Sequence, residues 1–133
     1  MTYRITGLPA GPFIPLYGLS DAELARRGVQ RQRVTACPGF PDRITMRDMP
    51  VGAYALLLNY EHLPVASPYR SGHAIFVQEG AQETWSGIGE VPEVMSRRTL
   101  SLRSFDEDGM MLDAALAEGE GIDPAIRRLL DNP

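Results

Sequence analysis

Apolar and polar positions along this chain predict strands more often than helices. Residues 53–60 and 73–77 are apolar on both faces, which is typical of buried central strands. Residues 29–36 alternate and predict an exposed or edge strand, and 43–46 predicts a short one. Residues 99–117 alternate on both sides of an acidic turn, which predicts a hairpin.

Two segments carry helix signals. Ser20 and Glu23 form a capping box, and Gly28 can supply the left-handed residue that ends a helix, so 21–27 is predicted helical. Asp123 as N-cap and Pro124 at the first helical position predict a C-terminal helix, whose apolar stripe must pack on a sheet.

Taken together, the elements predict an α+β fold with a mostly antiparallel sheet of five or six strands and two or three short helices. Pro92 is suited to begin a further single helical turn. The length of 133 residues fits a single domain over 1–133.

Composition narrows the possible functions. A net charge of −4 argues against a nucleic-acid binder, and Arg26, Arg27, Arg31 and Arg33 are interpreted as a solvated face. No apolar run approaches the ~20 residues that a membrane-spanning helix needs. With one cysteine, Cys37, and no secretory signal, we expect a cytoplasmic protein in which Cys37 is a small buried residue.

Polar and aromatic side chains gather where the two central strands are joined. They are Asn59, Tyr60, Glu61, His62, Tyr69, Arg70 and His73. His62 titrates near neutrality (pKa ~6.5) and is the candidate proton carrier. Arg70 offers a donor fork that fits carboxylate or phosphate, and Glu61 could orient or balance His62. The sequence therefore predicts a site for a small anionic ligand, with Asn59, Tyr60, Tyr69, Arg70 and His73 as ligand-binding residues.

Several alternatives stay open at this point. The same cluster could only stabilise the loop of a non-enzymatic structural or protein-interaction domain. Neither a reaction nor a cofactor follows from the sequence, so His62 and Glu61 are only candidate catalytic residues. No metal site is predicted, because adjacent strand residues such as Glu61 and His62 point to opposite faces.

Several segments resemble a bacterial family known as domain of unknown function 1203. They are Arg4–Pro9, Leu19–Leu24, Leu56–His62, Ser67–Arg70, Ile75–Val77 and the stretch from Glu90 to Met111. The Asn-Tyr-Glu-His and Ser-Pro-Tyr-Arg pair is fairly specific. The resemblance implies no activity and no substrate.

The chain departs from that family's pattern in two places. Family members often carry Cys-Arg after a Phe/Tyr-Pro pair, whereas Phe40-Pro41 is followed here by Asp42-Arg43. They also tend to continue past the last helix into one more strand, whereas this chain stops at Pro133. If the missing strand belongs to the sheet, we expect a bare sheet edge, and with it either a homodimer or poor solubility.

Overall fold

The computed structural model describes residues 3–61, 72–106, 108 and 110–130. Over these residues the chain forms nine strands and three α-helices. The strands are β1 (Arg4–Thr6), β2 (Gln30–Arg33), β3 (Pro41–Asp42), β4 (Arg47–Asp48), β5 (Tyr54–Glu61), β6 (Gly72–Gln78), β7 (Ser86–Ile88), β8 (Thr99–Phe105) and β9 (Met111–Glu118). The helices are α1 (Asp21–Arg26), α2 (Glu93–Ser96) and α3 (Ile122–Leu130), with 3₁₀ turns at Ile14–Leu16 and Gly119–Gly121.

The chain divides into two compact units. The first, called here the sheet unit, comprises Thr6–Tyr60 and His73–Ser86. The second, called the hairpin unit, comprises Met1–Ile5, Glu61–Gly72 and Gly87–Pro133. The expectation of a single domain stays a prediction.

The sheet unit is built on a three-stranded sheet in the order β2-β5-β6. β2 pairs antiparallel with β5, from Gln30 opposite Leu57 to Arg33 opposite Tyr54, and is the edge strand that the alternation predicts. One apolar cluster contains Leu56 and Ile75 and another contains Ala55 with Phe76 against it. Because neighbouring residues of a strand point to opposite faces, both faces of the central strands are covered, as predicted.

Helix α1 begins and ends where its sequence signals are. The Ser20 hydroxyl accepts a hydrogen bond from the Glu23 amide at 3.2 Å, and Gly28 has a φ of +73° just after the helix. Leu24 is fully buried, and Leu19 packs against the same cluster. This prediction is confirmed.

The segment 41–48 differs from its prediction. Residues 43–46 are the turn of a small hairpin, not a strand, and the strands β3 and β4 lie on either side of it. The reason is a tertiary one: the Arg43 amide donates to the Phe76 carbonyl at 3.1 Å, while the Arg43 and Ile44 carbonyls accept from Leu8 and Trp85. Backbone groups that would extend a ladder are therefore used by other segments.

The hairpin unit consists chiefly of β8, β9 and the helices near them. β8 and β9 pair antiparallel from Thr99 opposite Glu118 to Phe105 opposite Met111, with one irregularity, which confirms the predicted hairpin. Helix α3 packs against both strands through a face that contains Ile122 and Leu129. It begins at Ile122, so Asp123 lies inside the helix instead of before it.

The α+β class is therefore confirmed, but the single sheet of five or six strands is not. The described strands form one three-stranded sheet and three two-stranded ones, β1-β7, β3-β4 and β8-β9. Four of the strands have only two or three residues. Such short strands offer too few ladder bonds to recruit further neighbours, which accounts for the division into small sheets.

Candidate functional site

The predicted ligand site lies only partly in the described residues. His62, Tyr69 and Arg70 lie outside them, and the side chains of Glu61 and His73 are also not described. Asn59 and Tyr60 are described, so only these two can be placed.

Asn59 and Tyr60 lie on opposite faces of β5. Tyr60 is half-buried and packs in the cluster of Leu56, with its ring centroid 5.8 Å from that of Phe13. Asn59, one residue earlier, is exposed. A ligand that touches both side chains must therefore lie at the end of the strand, where the two faces meet.

The backbone brings the flanks of the predicted site together. The Glu79 amide donates to the Tyr54 carbonyl at 2.9 Å, so the end of β6 lies beside the start of β5 and the two strands run antiparallel. Six positions further along β5 is Tyr60, and six positions back along β6 is His73. The end of β5 near Tyr60 and the start of β6 near His73 therefore belong to the same end of this pair of strands.

The sequence reasoning missed Asp42, the one fully buried charged residue among those described. Its Oδ1 accepts from the amides of Ile44 at 3.1 Å and Gln78 at 3.0 Å. Its Oδ2 accepts from the Thr45 amide at 3.1 Å and the Thr45 hydroxyl at 2.7 Å. Bonds from an Asp side chain to amides two and three residues later are a known turn signal, but the bond from Gln78 is set by the fold alone.

The two oxygens of the Asp42 carboxylate together accept four hydrogen bonds. It ties the 42–46 turn to the end of β6, which places it at the centre of the sheet unit. We interpret it as a structural group, because a saturated buried carboxylate has little capacity left to bind a ligand.

Arg31 was predicted to belong to a solvated face, and this is wrong. Its guanidinium makes a two-pronged contact with Glu79, from Nε at 3.0 Å and from one terminal nitrogen at 2.7 Å. It also donates to Asp21 and, at 2.6 Å, to the Leu19 carbonyl. Its side chain is 17% exposed. The side chain of Arg26 is 70% exposed, which matches the prediction of a solvated residue.

The pKa values in this cluster follow from its contacts. Hydrogen bonds from Arg31 hold the pKa of Glu79 below its usual range, and those with Glu79 raise the pKa of Arg31. Burial raises the pKa of Tyr17 to about 12, with the negative charges of Asp42 and Glu79 adding to the effect. Arg31 and Glu79 are therefore charged, and Tyr17 is neutral, near neutral pH.

The hairpin unit contains an open cleft of about 410 Å³. Tyr3, Gly89, Val91, Ser96, Gly119, Glu120 and Asp123 line it. The Tyr3 hydroxyl donates to Asp123, which also accepts from Nε of Arg127 at 3.2 Å. The Arg127 guanidinium lies 5.1 Å from the centre of the Tyr3 ring, within reach of a cation–π contact.

The contact between Tyr3 and Asp123 shifts their pKa values in opposite directions. Burial and the bond to Asp123 raise the pKa of Tyr3, while bonds from Tyr3 and Arg127 lower the pKa of Asp123. Both groups therefore keep their ordinary charge state near neutrality, which makes them suited to hold the start of the chain against α3. Sequence reasoning did not find this cluster, because its partners are 120 positions apart.

Cys37 is exposed, so the expectation of a small buried residue is wrong. It lies between the predicted edge strand and the β3-β4 hairpin, in a segment of bends. Over the described ranges, no group of three or more His, Cys, Asp or Glu residues is placed to hold a metal ion. In the same residues no helix has the length and apolar character needed to cross a bilayer.

Comparison with known proteins gives one family and no individual relative. No curated protein and no solved structure matches the chain. The family described as "Protein of unknown function (DUF1203)" matches residues 39–133, which is more than half of the chain and includes the whole β5–β6 segment. The chain therefore belongs to the DUF1203 family.

Proposed function

We propose that the loop between β5 and β6, together with the strand ends beside it, binds a small anionic ligand. The observation that carries the proposal is that β5 and β6 are hydrogen-bonded neighbours. The last residues of β5 and the first residues of β6 therefore lie at the same end of one sheet. They include Asn59, Tyr60 and Glu61 on β5 and His73 on β6.

The chemistry of the loop residues supports an anion. The Arg70 guanidinium can donate two parallel hydrogen bonds to a carboxylate or phosphate. Tyr60, Tyr69 and Asn59 can orient the remaining polar groups of a small molecule. Binding residues are often carried by the segment that connects two paired strands, because the strands fix the positions of its two ends.

His62 and Glu61 are the groups that could add catalysis to binding. An imidazole with a pKa near ~6.5 accepts and donates protons at neutral pH, and a neighbouring carboxylate can fix its orientation. The proposal thus extends to an acid–base step with His62 as proton carrier, and the reaction class is left open.

The test is a thermal-shift titration with inorganic phosphate and with succinate, against chloride at equal ionic strength. We expect a saturable rise of Tm in the wild type, because a ligand at about 100 times its Kd stabilises the folded state by about 2.7 kcal/mol. Arg70→Ala should abolish the rise. Arg26→Ala removes an exposed arginine elsewhere and should leave it unchanged.

The two alternatives give different results. If the cluster only stabilises the loop, Arg70→Ala and His62→Ala should lower the free energy of unfolding by about 2–5 kcal/mol without ligand, as when one partner of a buried ion pair is removed. Neither probe should then shift the wild-type Tm. That combination would refute ligand binding and favour the structural domain.

A further inference from the structure

We propose that the outer edge of β9 pairs with β9 of a second copy of this chain, antiparallel and about a two-fold axis at Ala114. This inference is independent of the proposed ligand site. It rests on the exposed side chains of the hairpin β8-β9, on its unpaired backbone edge and on the order of residues along β9.

The face of the β8-β9 hairpin that is turned away from α3 carries exposed apolar side chains of β9 beside the polar Thr99, Ser101 and Arg103 of β8. Helix α3 takes the other face, where Ala117 is buried and Asp113 contacts Arg128 at 3.2 Å. Residues of opposite parity point away from the helix, and Leu116 is 77% exposed there; Leu112, at the irregularity of the ladder, is 43% exposed. Large apolar side chains grouped on an exposed strand are typical of an interaction surface.

The outer edge of β9 also carries backbone groups that point away from β8. The Ala114 amide donates to Oδ1 of Asp113 at 2.8 Å and so points away from β8. Because these directions alternate along a strand, the groups of Leu116 and Glu118 face outward with those of Ala114. In the part of the chain that the structure describes, no strand pairs with this edge.

Strand β9 has few of the features that usually keep an edge strand from pairing with another chain. It contains no proline and no lysine, and its irregularity lies at the turn end, where Leu112 has no partner in β8. Asp113 does shield the Ala114 amide, but its other oxygen is held by Arg128. On pairing, the carbonyl of Ala114 in the second copy would replace Oδ1 while the contact with Arg128 is kept.

The charges and apolar residues of β9 select the position of the axis. With the axis at Ala114, position 112 of one copy lies opposite position 116 of the other in both symmetric rows, and Asp113 lies opposite Ala115. Each charged residue then lies opposite an uncharged one. An axis one residue earlier would set the two Asp113 carboxylates directly opposite each other, which is unfavourable. The pairing is self-complementary, as a two-fold interface requires.

The first test is light scattering of the full chain over a concentration series. We expect a dimer whose dissociation constant rises at least tenfold in Leu116→Glu, because the change replaces an exposed apolar side chain of each copy by a carboxylate in the paired segment. Val51→Glu is the matched control, since Val51 is 64% exposed in the sheet unit, and it should leave the dissociation constant unchanged. A monomer at every concentration, or equal effects of the two substitutions, would overturn the proposal.

The second test fixes the register by disulfide trapping in a Cys37→Ser background. Residues directly opposite in an antiparallel pair have Cα atoms about 4.5–5.5 Å apart, within disulfide range. Ala114→Cys should therefore give a covalent dimer under mild oxidation, whereas Leu112→Cys, which faces residue 116, should not. Trapping at 112, or at neither position, would overturn the axis at Ala114.

Discussion

The sheet unit and the hairpin unit distribute their apolar and polar side chains differently. Nine large side chains are fully buried among the described residues, and all but Ile122 belong to the sheet unit. Nine large apolar side chains are exposed, and six of them, from Ile88 to Leu130, belong to the hairpin unit. The sheet unit is thus closed around its own core, while the hairpin unit leaves more apolar surface exposed.

The buried polar groups show the same difference. In the sheet unit Asp42 and the Arg31–Glu79 pair are withdrawn from water and hydrogen-bonded on several sides. In the hairpin unit the Tyr3–Asp123–Arg127 cluster lies at an open cleft. Loss of a partner costs more where water cannot replace it, so we expect substitutions in the sheet unit to have the larger effects.

The largest effect is expected at Asp42. Asp42→Ala removes four hydrogen bonds and leaves three backbone amides without their acceptor, so unfolding free energy should fall by about 3–5 kcal/mol. Denaturant unfolding followed by circular dichroism measures this. Asp108→Ala, in an exposed turn, should change stability by less than about 0.5 kcal/mol. A loss below about 1 kcal/mol for Asp42→Ala would show that the turn is not held by this carboxylate.

Gly7 gives the next largest effect. A Cβ at this position would lie 2.2 Å from the Ile44 carbonyl oxygen and 2.8 Å from that of Arg43, so the backbone would have to move. Gly7→Ala should cost about 2–3 kcal/mol, as overpacking does. Gly11→Ala is the control, because a Cβ there meets nothing within 4 Å. Equal stability of the two variants would contradict this close approach of the chain segments.

Arg31→Met tests the ion cluster. It should lower unfolding free energy by about 1.5–3 kcal/mol, whereas Arg26→Met should cost less than about 0.5 kcal/mol, because the pair of Arg26 with Glu23 is exposed.

The acid dependence of stability sharpens the same test. The folded-state pKa of Glu79 lies below the ordinary value of 4.5, so its contribution is present above about pH 4.5 and is lost as pH falls through the lower, folded value. Unfolding titrations from pH 6 to pH 2 should show a shallower acid loss for Arg31→Met than for the wild type. Parallel curves would mean that the pair does not cause the shift.

The smallest effect is expected in the hairpin unit. Tyr3→Phe removes only the hydroxyl that donates to Asp123 and should cost about 0.5–1.5 kcal/mol. Tyr54→Phe, at a side chain that is 47% exposed, is the matched control and should be close to neutral. If Tyr3→Phe matched Asp42→Ala in cost, the contrast between the two units would be wrong.

Local signals along the chain determined the elements with strong short-range causes. The capping residue Ser20, the positive φ of Gly28 and the alternation along β8 and β9 each act within a few residues, so helix α1 and the hairpin could be predicted. The two-sided burial of β5 followed from its continuous apolar run for the same reason. The candidate site was predicted as a cluster, and the structure describes Asn59 and Tyr60 of it.

Tertiary structure alone decided which polar residues lie inside. Asp42 and Arg31 look like turn and surface residues in sequence, because their partners Gln78 and Glu79 are 36 and 48 positions away. The Tyr3–Asp123 contact joins residues 120 positions apart. The number of sheets could not be predicted from the sequence either. Backbone groups of the 43–46 turn bond to distant segments instead of continuing a ladder. Local patterns fix periodicity and turns, whereas the burial of a charge depends on where the rest of the chain supplies its donors.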